Sequence, residues 1–157
     1  MSVRRIPKTS AKPVVTSAQK RRARGHFKEA AFVHHLGMRI TRLAAGEAVV
    51  TLPIADTLKQ YQGLAHGGAL ASLADTAATM AALTALPADS DVVTIEFKMN
   101  YLSSLRSGRA VAHAKLTRLG SRVVVIDVDV TKTPGGELAA TGLFTMLRFP
   151  VSTSKRV

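Results

Sequence analysis

Three residues, His66-Gly67-Gly68, close a loop, and an Ala-rich segment follows at once with a single carboxylate in it, Asp75. Its neighbours in LASLADTAATMAAL are almost all small or apolar. Charges on globular helices ordinarily gather on a wet face with other charges. A lone Asp here is either structurally paired or chemically used. The glycines bear on which. At the start of a helix the first backbone N–H groups have no intrahelical partner, and the helix dipole adds roughly half a positive charge there. With no side chains on Gly67 and Gly68, a substrate oxygen can approach those N–H groups closely, as in an oxyanion hole. Removing one such donor typically slows an enzyme about 100- to 1000-fold. His66 would hold the loop through its ring nitrogens. The alternative is a glycine pair that only lets the loop pack tightly.

A carboxylate ionised at neutral pH is a ready base or nucleophile, and general-base action is worth about 100- to 10,000-fold. Eight residues at 1.5 Å each put Asp75 about 12 Å along the helix axis from Gly67. Within one chain that is too far for both to reach the same carbonyl carbon. A two-fold dimer allows the glycine end of one chain to face Asp75 of the other. Ser72 and Thr79 lie three residues before and four after Asp75, so they share its face. That stripe is either a satisfied buried network or the wall of a cleft.

Other constellations are missing. The chain has no G-x-S-x-G, no G-x-x-x-x-G-K-[ST], no G-x-G-x-x-G and no H-E-x-x-H. His34 and His35 are adjacent, so on a helix they point apart and make a poor metal pair. His26, His34, His35 and His113 read as surface or half-buried polar residues. With no Cys there is no disulfide framework, Cys nucleophile or Cys-ligated metal. That agrees with a reducing compartment, and a cytoplasmic location is the expectation.

These residues need a scaffold, and 157 residues at 46% hydrophobic suffice for one domain with a real core. The net charge of +12 is unevenly spread. Residues 1–24 hold eight Lys or Arg and no acid, whereas residues 25–150 hold twelve basic against ten acidic residues. The basicity therefore belongs to an N-terminal stretch too polar to bury much surface, read as a disordered arm. A weak anchor to nucleic acid or anionic membrane and an organelle transit peptide are its other readings. No signal-type apolar run follows, so secretion is not expected, nor is a specific nucleic-acid partner. Residues 67–86 are long enough to span a bilayer, but Asp75 near the middle would cost about 2.5–3.5 kcal/mol there. The expectation is an enclosed helix and no transmembrane segment.

The periodicity predicts a helix over Gly25–Leu36 ended by Gly37, strands at Met38–Leu43 and Glu47–Ile54, and the long helix from Gly67 to about Leu86. Four strands complete the chain. In the first, Val93, Ile95, Phe97, Met99 and Tyr101 alternate with Thr94, Glu96, Lys98 and Asn100. The next two carry Ala112–Leu116 and Val124–Val130, and the last covers about Glu137–Phe149. Short turns between them predict a four-strand antiparallel meander with one wet face. The fold class is α+β: a curved antiparallel sheet wrapped around one long central helix. The domain is 25–150, flanked by the basic tail 1–24 and a short polar tail 151–157. Pairing a long edge strand with a second copy would protect that edge, so a homodimer at least is expected.

Residues from about Phe32 to Phe149 resemble hotdog-fold acyl-CoA thioesterases of the PaaI (phenylacetate pathway) type. The resemblance rests on Gly63-x-x-His66-Gly67-Gly68 followed by Leu73-Ala74-Asp75-Thr76. The strand Thr94–Leu102 and Gly120-Ser121-Arg122 support it. It implies that Asp75 activates water or attacks the thioester, that the Gly67 N–H polarises its carbonyl, and that His66 orients the loop. Many members carry Asn six residues before the His, where this chain has Gln60; Gln keeps the amide and adds a methylene. Thr94 matches a Ser or Thr that often contributes to the site, and Arg118 and Arg122 would hold the phosphates of coenzyme A. Gly68, Ser72 and Thr79 would line the substrate. The resemblance implies hydrolysis of acyl-CoA by a homodimer or homotetramer without metal or redox cofactor. Two alternatives remain: a 3-hydroxyacyl-thioester dehydratase or hydratase, for which a second His is missing, and a non-catalytic acyl-CoA-binding module.

Overall fold

The computed structural model describes residues 14–151. Helices α1 (Ser17–Glu29) and α2 (Ala31–His35) lead into strands β1 (Arg39–Ala44) and β2 (Glu47–Pro53). A 3-10 turn (Asp56–Leu58) and a loop then reach α3 (Gly67–Leu83). Strands β3 (Ser90–Tyr101), β4 (Arg109–Leu119), β5 (Val123–Thr133) and β6 (Leu138–Pro150) complete the chain. All six strands form one antiparallel sheet in the order β1-β2-β4-β5-β6-β3, and α3 lies across its inner face.

The core follows from the alternation. Val124, Ile126, Val128 and Val130 of β5 are buried, while Asp127 and Asp129 between them are exposed. The inner residues of β4 are Ala110, Ala112 and Ala114, and the facing side of α3 carries Leu73, Ala74, Ala77, Ala78 and Ala81, all buried. Alanine on both surfaces allows helix and sheet to approach closely, and Phe144, Met146 and Leu52 fill the space around them.

The expected meander is only partly present. β4, β5 and β6 are consecutive neighbours, but β3 pairs with β6 at the far edge and β4 pairs with β2. Alternation sets which face of a strand is apolar and leaves its neighbour open. Here α3 carries the chain across the sheet, so β3 starts at the opposite edge. The 102–108 connection then returns to the middle, with Leu105 buried and its carbonyl accepting from the Ala65 N–H at 2.7 Å. It thereby supports the loop that leads into α3.

Strand β3 also breaks its apparent alternation. The register with β6 shifts between Thr94 and Glu96, a bulge at Ile95. Thr94 pairs opposite the buried Met146, and beyond the bulge Phe97 pairs opposite the buried Phe144. Residues directly opposite share a sheet face, so Thr94 lies on the helix side together with Phe97, Met99 and Tyr101. Val93 and Ile95 do not share that face. They are 51% and 56% exposed, as are Leu143 and Phe149 to a lesser degree. The outer face is thus not uniformly polar as expected.

Two further expectations change. The N-terminal helix is not Gly25–Leu36: α1 begins at Ser17, and extended backbone at Ala30 separates it from α2. Gly37 follows Leu36, the C-cap of α2, with φ +74°. The tail read as 1–24 is therefore helical over residues 17–24, while 1–13 and 152–157 lie outside the described residues. Thr16 and Gln19 form a capping box at its start. The Arg22 guanidinium donates to the carbonyls of Leu83, Leu86, Pro87 and Ser90, and Ala23 is fully buried. Arg22 thus satisfies carbonyls at the negative end of α3, which the basic composition alone did not reveal. Finally, α3 is not enclosed all round, because Gly68, Ala71, Ser72, Asp75, Thr76 and Thr79 form a face that is only half-buried or exposed.

Candidate active site

The start of α3 is built by His66. Its extended backbone makes it the N-cap, and its Nδ1 accepts from the Gly68 N–H at 2.9 Å. That bond fixes the neutral tautomer with the proton on Nε2. The His66 carbonyl accepts from the N–H groups of Ala69, at 2.9 Å, and Leu70, at 3.3 Å. Among the described residues the Gly67 N–H has no partner. It is an unsatisfied donor at the positive end of a 17-residue helix.

Gly67 lines a cleft of about 380 Å³ with Gln60 and Tyr101, together with Leu64, Leu70 and Leu105. Gln60 is half-buried; its backbone is pinned by Leu64 and Gly63, and its amide donates to Gln62. Tyr101 escaped the sequence reading as a site residue. Its hydroxyl donates to the Gly67 carbonyl at 3.0 Å. Residue type gave no sign of this, because an aromatic residue on the apolar face of a strand is ordinary core material. A second cleft of about 250 Å³ lies across the junction, where His66, Gly68 and Ser72 meet Phe32 and Leu36.

Asp75 sits two turns further along α3, half-buried, with its Oδ1 accepting from the Thr94 hydroxyl at 2.6 Å. Such a charge-assisted bond holds one carboxylate oxygen and leaves the other open. Ser72 and Thr79 share the open face of α3. The Ser72 hydroxyl donates to the Gly68 carbonyl at 2.8 Å rather than to Asp75. The stripe is thus the wall of an open face and not a buried network.

One chain therefore brings the candidate residues together in two separate groups: Gln60, His66, Gly67 and Gly68 at the helix start, and Asp75 with Thr94 about 12 Å along its axis. Arg118 and Arg122 join neither. They flank the β4–β5 turn, where Leu116 donates to the Gly46 carbonyl and Gly46 to Thr84 at the end of α3. That is about 25 Å of helix away from Gly67.

The model of the Thioesterase superfamily matches residues 62–139, which span the helix start, Asp75 and Thr94. The 1,4-dihydroxy-2-naphthoyl-CoA hydrolase of Listeria monocytogenes is 30% identical over 96 residues, covering 61% of this chain and 78% of that protein. The chain belongs to the Thioesterase superfamily. It is a thioester hydrolase of the hotdog fold. A solved Thioesterase family protein from Silicibacter pomeroyi superposes with a TM-score of 0.81 at 25% identity, covering 85% of this chain and 99% of that one. A mutant of the phenylacetic acid degradation protein PaaI from Thermus thermophilus gives 0.69 at 34% identity, over 75% and 98% of the two chains. No helix among the described residues is long and apolar enough to cross a membrane.

Proposed function

We propose that this thioesterase hydrolyses acyl-CoA to the free acid and coenzyme A, at a site completed by two copies of the chain. The unpartnered Gly67 N–H at the start of α3 is the observation that carries the reading. In it, the thioester carbonyl oxygen lies against Gly67 of one copy and Asp75 of the other copy stands over the carbonyl carbon. The Asp75 carboxylate takes a proton from water as the water oxygen bonds to that carbon. The carbonyl oxygen becomes an oxyanion held by the Gly67 N–H. Collapse breaks the C–S bond, and the departing CoA thiolate takes up the proton. If Asp75 attacks directly, an anhydride forms first and water releases it, with the same products. Thr94 keeps the carboxylate aimed, and His66 keeps the donor in place by capping the helix. Gln60 lines the donor's cleft, whose Leu64, Leu70 and Leu105 walls suit an apolar acyl group.

The relative from Listeria monocytogenes is named for an aromatic acyl-CoA, so the substrate panel includes naphthoyl-, benzoyl- and phenylacetyl-CoA beside straight-chain acyl-CoAs. Release of coenzyme A is followed with a thiol reagent. Asp75→Asn is expected to lower turnover at least 100-fold with thermal stability unchanged. Wild-type turnover by Asp75→Asn across the panel would sink the proposal.

A further inference from the structure

Glycine has the widest backbone freedom of any residue, yet both peptide planes flanking Gly67 are fixed. The plane between His66 and Gly67 is anchored through the His66 carbonyl, which accepts from Ala69 and Leu70. The plane between Gly67 and Gly68 is held at both ends. On one side the Gly68 N–H donates to His66 Nδ1 at 2.9 Å; on the other the Gly67 carbonyl accepts from the Tyr101 hydroxyl at 3.0 Å. The His66 bonds are internal to the loop and the first turn of α3. Tyr101 reaches the junction from the sheet. Its ring also packs on Gly67, so that a Cβ there would come within 3.3 Å of Tyr101 Cζ.

We infer that Tyr101 is a positioning residue for thioester hydrolysis: its hydroxyl holds the Gly67 carbonyl, so the second of the two planes flanking Gly67 cannot swing and the Gly67 N–H, in the first plane, stays aimed at the reacting oxygen before substrate arrives. The inference rests on the reading of Gly67 as the oxyanion donor. A donor stabilises a developing oxyanion most when it needs no reorientation during the reaction. With the planes on both sides of Gly67 held, its two soft dihedrals are fixed. The bulge at Ile95 puts Thr94 on the same side of β3 as Tyr101. One strand therefore positions both halves of the site, Thr94 on the Asp75 carboxylate and Tyr101 on the Gly67 carbonyl.

The test compares wild type, Asp75→Asn and Tyr101→Phe with the best acyl-CoA of the panel. The Phe ring keeps the packing and removes only the hydroxyl. Loss of one positioning hydrogen bond predicts a kcat roughly 3- to 10-fold lower, with KM and thermal midpoint unchanged. A Tyr101→Phe enzyme with wild-type kcat overturns the inference. So does a change confined to KM, which would make Tyr101 a wall of the acyl cleft, or a loss of activity that tracks a lower thermal midpoint. Wild-type turnover by Asp75→Asn would instead refute the underlying hydrolytic reading, so the two failures are separable.

Discussion

Thr94 and Asp75 form the most informative pair in the protein. The Thr94 hydroxyl is 2.6 Å from Asp75 Oδ1 and half-buried with it. Thr94→Val keeps the shape and removes the donor, which leaves the carboxylate without its aim. We expect turnover to fall about tenfold, in line with a charge-assisted hydrogen bond, and Thr94→Ser to recover most of it. Equal rates for all three would remove Thr94 from the machinery. Gly68 makes the complementary point. A Cβ there would lie 3.0 Å from His66 Nδ1, on the ring atom that caps the helix. Asp75, Gly67 and His66 were legible as candidates in the sequence because a lone acid in an apolar helix and a glycine pair at a helix start are both chemically odd. Tyr101 was not legible, since an aromatic residue on a strand is ordinary until its hydroxyl is seen to meet Gly67.

Among the elements, α1 and the turn before α3 show how charge supports the scaffold. Arg22 donates to four carbonyls at and just beyond the end of α3, and partial burial lowers its pKa against the opposing pull of Asp91 and Asp89. Arg22→Met keeps much of the stem packing and removes those bonds; we expect a loss of about 2 kcal/mol in denaturant unfolding. An unchanged midpoint would show that α1 contributes no stability through this contact. In the 3-10 turn, the Lys59 ammonium hydrogen-bonds Asp56 at 2.7 Å and holds its carboxyl below the usual range. A carboxyl depressed in the folded state adds stability above the ordinary carboxylate pKa of about 4 and loses it as the pH falls through the folded value. Asp56 is fully exposed, so the effect is small. The thermal midpoints of wild type and Asp56→Asn are expected to differ slightly at pH 7 and to converge in acid. A gap that persists in acid would assign the effect to something other than this ion pair.

For the whole molecule, the two edges of the sheet differ. Strand β1 is six residues long and carries Arg39 and Arg42, which discourage edge pairing. Strand β3 is twice as long, at twelve residues, and exposes Val93 and Ile95. The half-sites at Gly67 and Asp75 lie on the open face of α3, beside this second edge. We propose that β3 is where two copies meet, which would bring one copy's Gly67 towards the other's Asp75. Ile95→Asp sits on the exposed bulge and leaves the core intact. It is expected to shift the sedimentation coefficient towards that of a single chain and to lower hydrolysis in parallel. Full activity in a monomeric Ile95→Asp protein would show that one chain suffices.

Residue order alone specified the six strands, the long helix α3 and the two chemically odd positions on it, but not helix α1. Period-two alternation, the run of alanines and the HGG step are local properties, and each has a local physical cause. The axial distance that a helix imposes between Gly67 and Asp75 led to the expectation of a site shared by two chains, while the class of chemistry came from the resemblance that HGG and Asp75 carry. Packing supplied the rest. Strand order depends on where α3 sets the chain down, and no residue in β3 encodes its neighbour by type. The bulge at Ile95 leaves the alternation of residue types intact while turning the strand by one residue, because a register shift is a relation between two strands. The docking of α1 depends on carbonyls left open at the end of α3, more than sixty residues from Arg22. In each case the deciding contact joins parts of the chain that are distant in sequence.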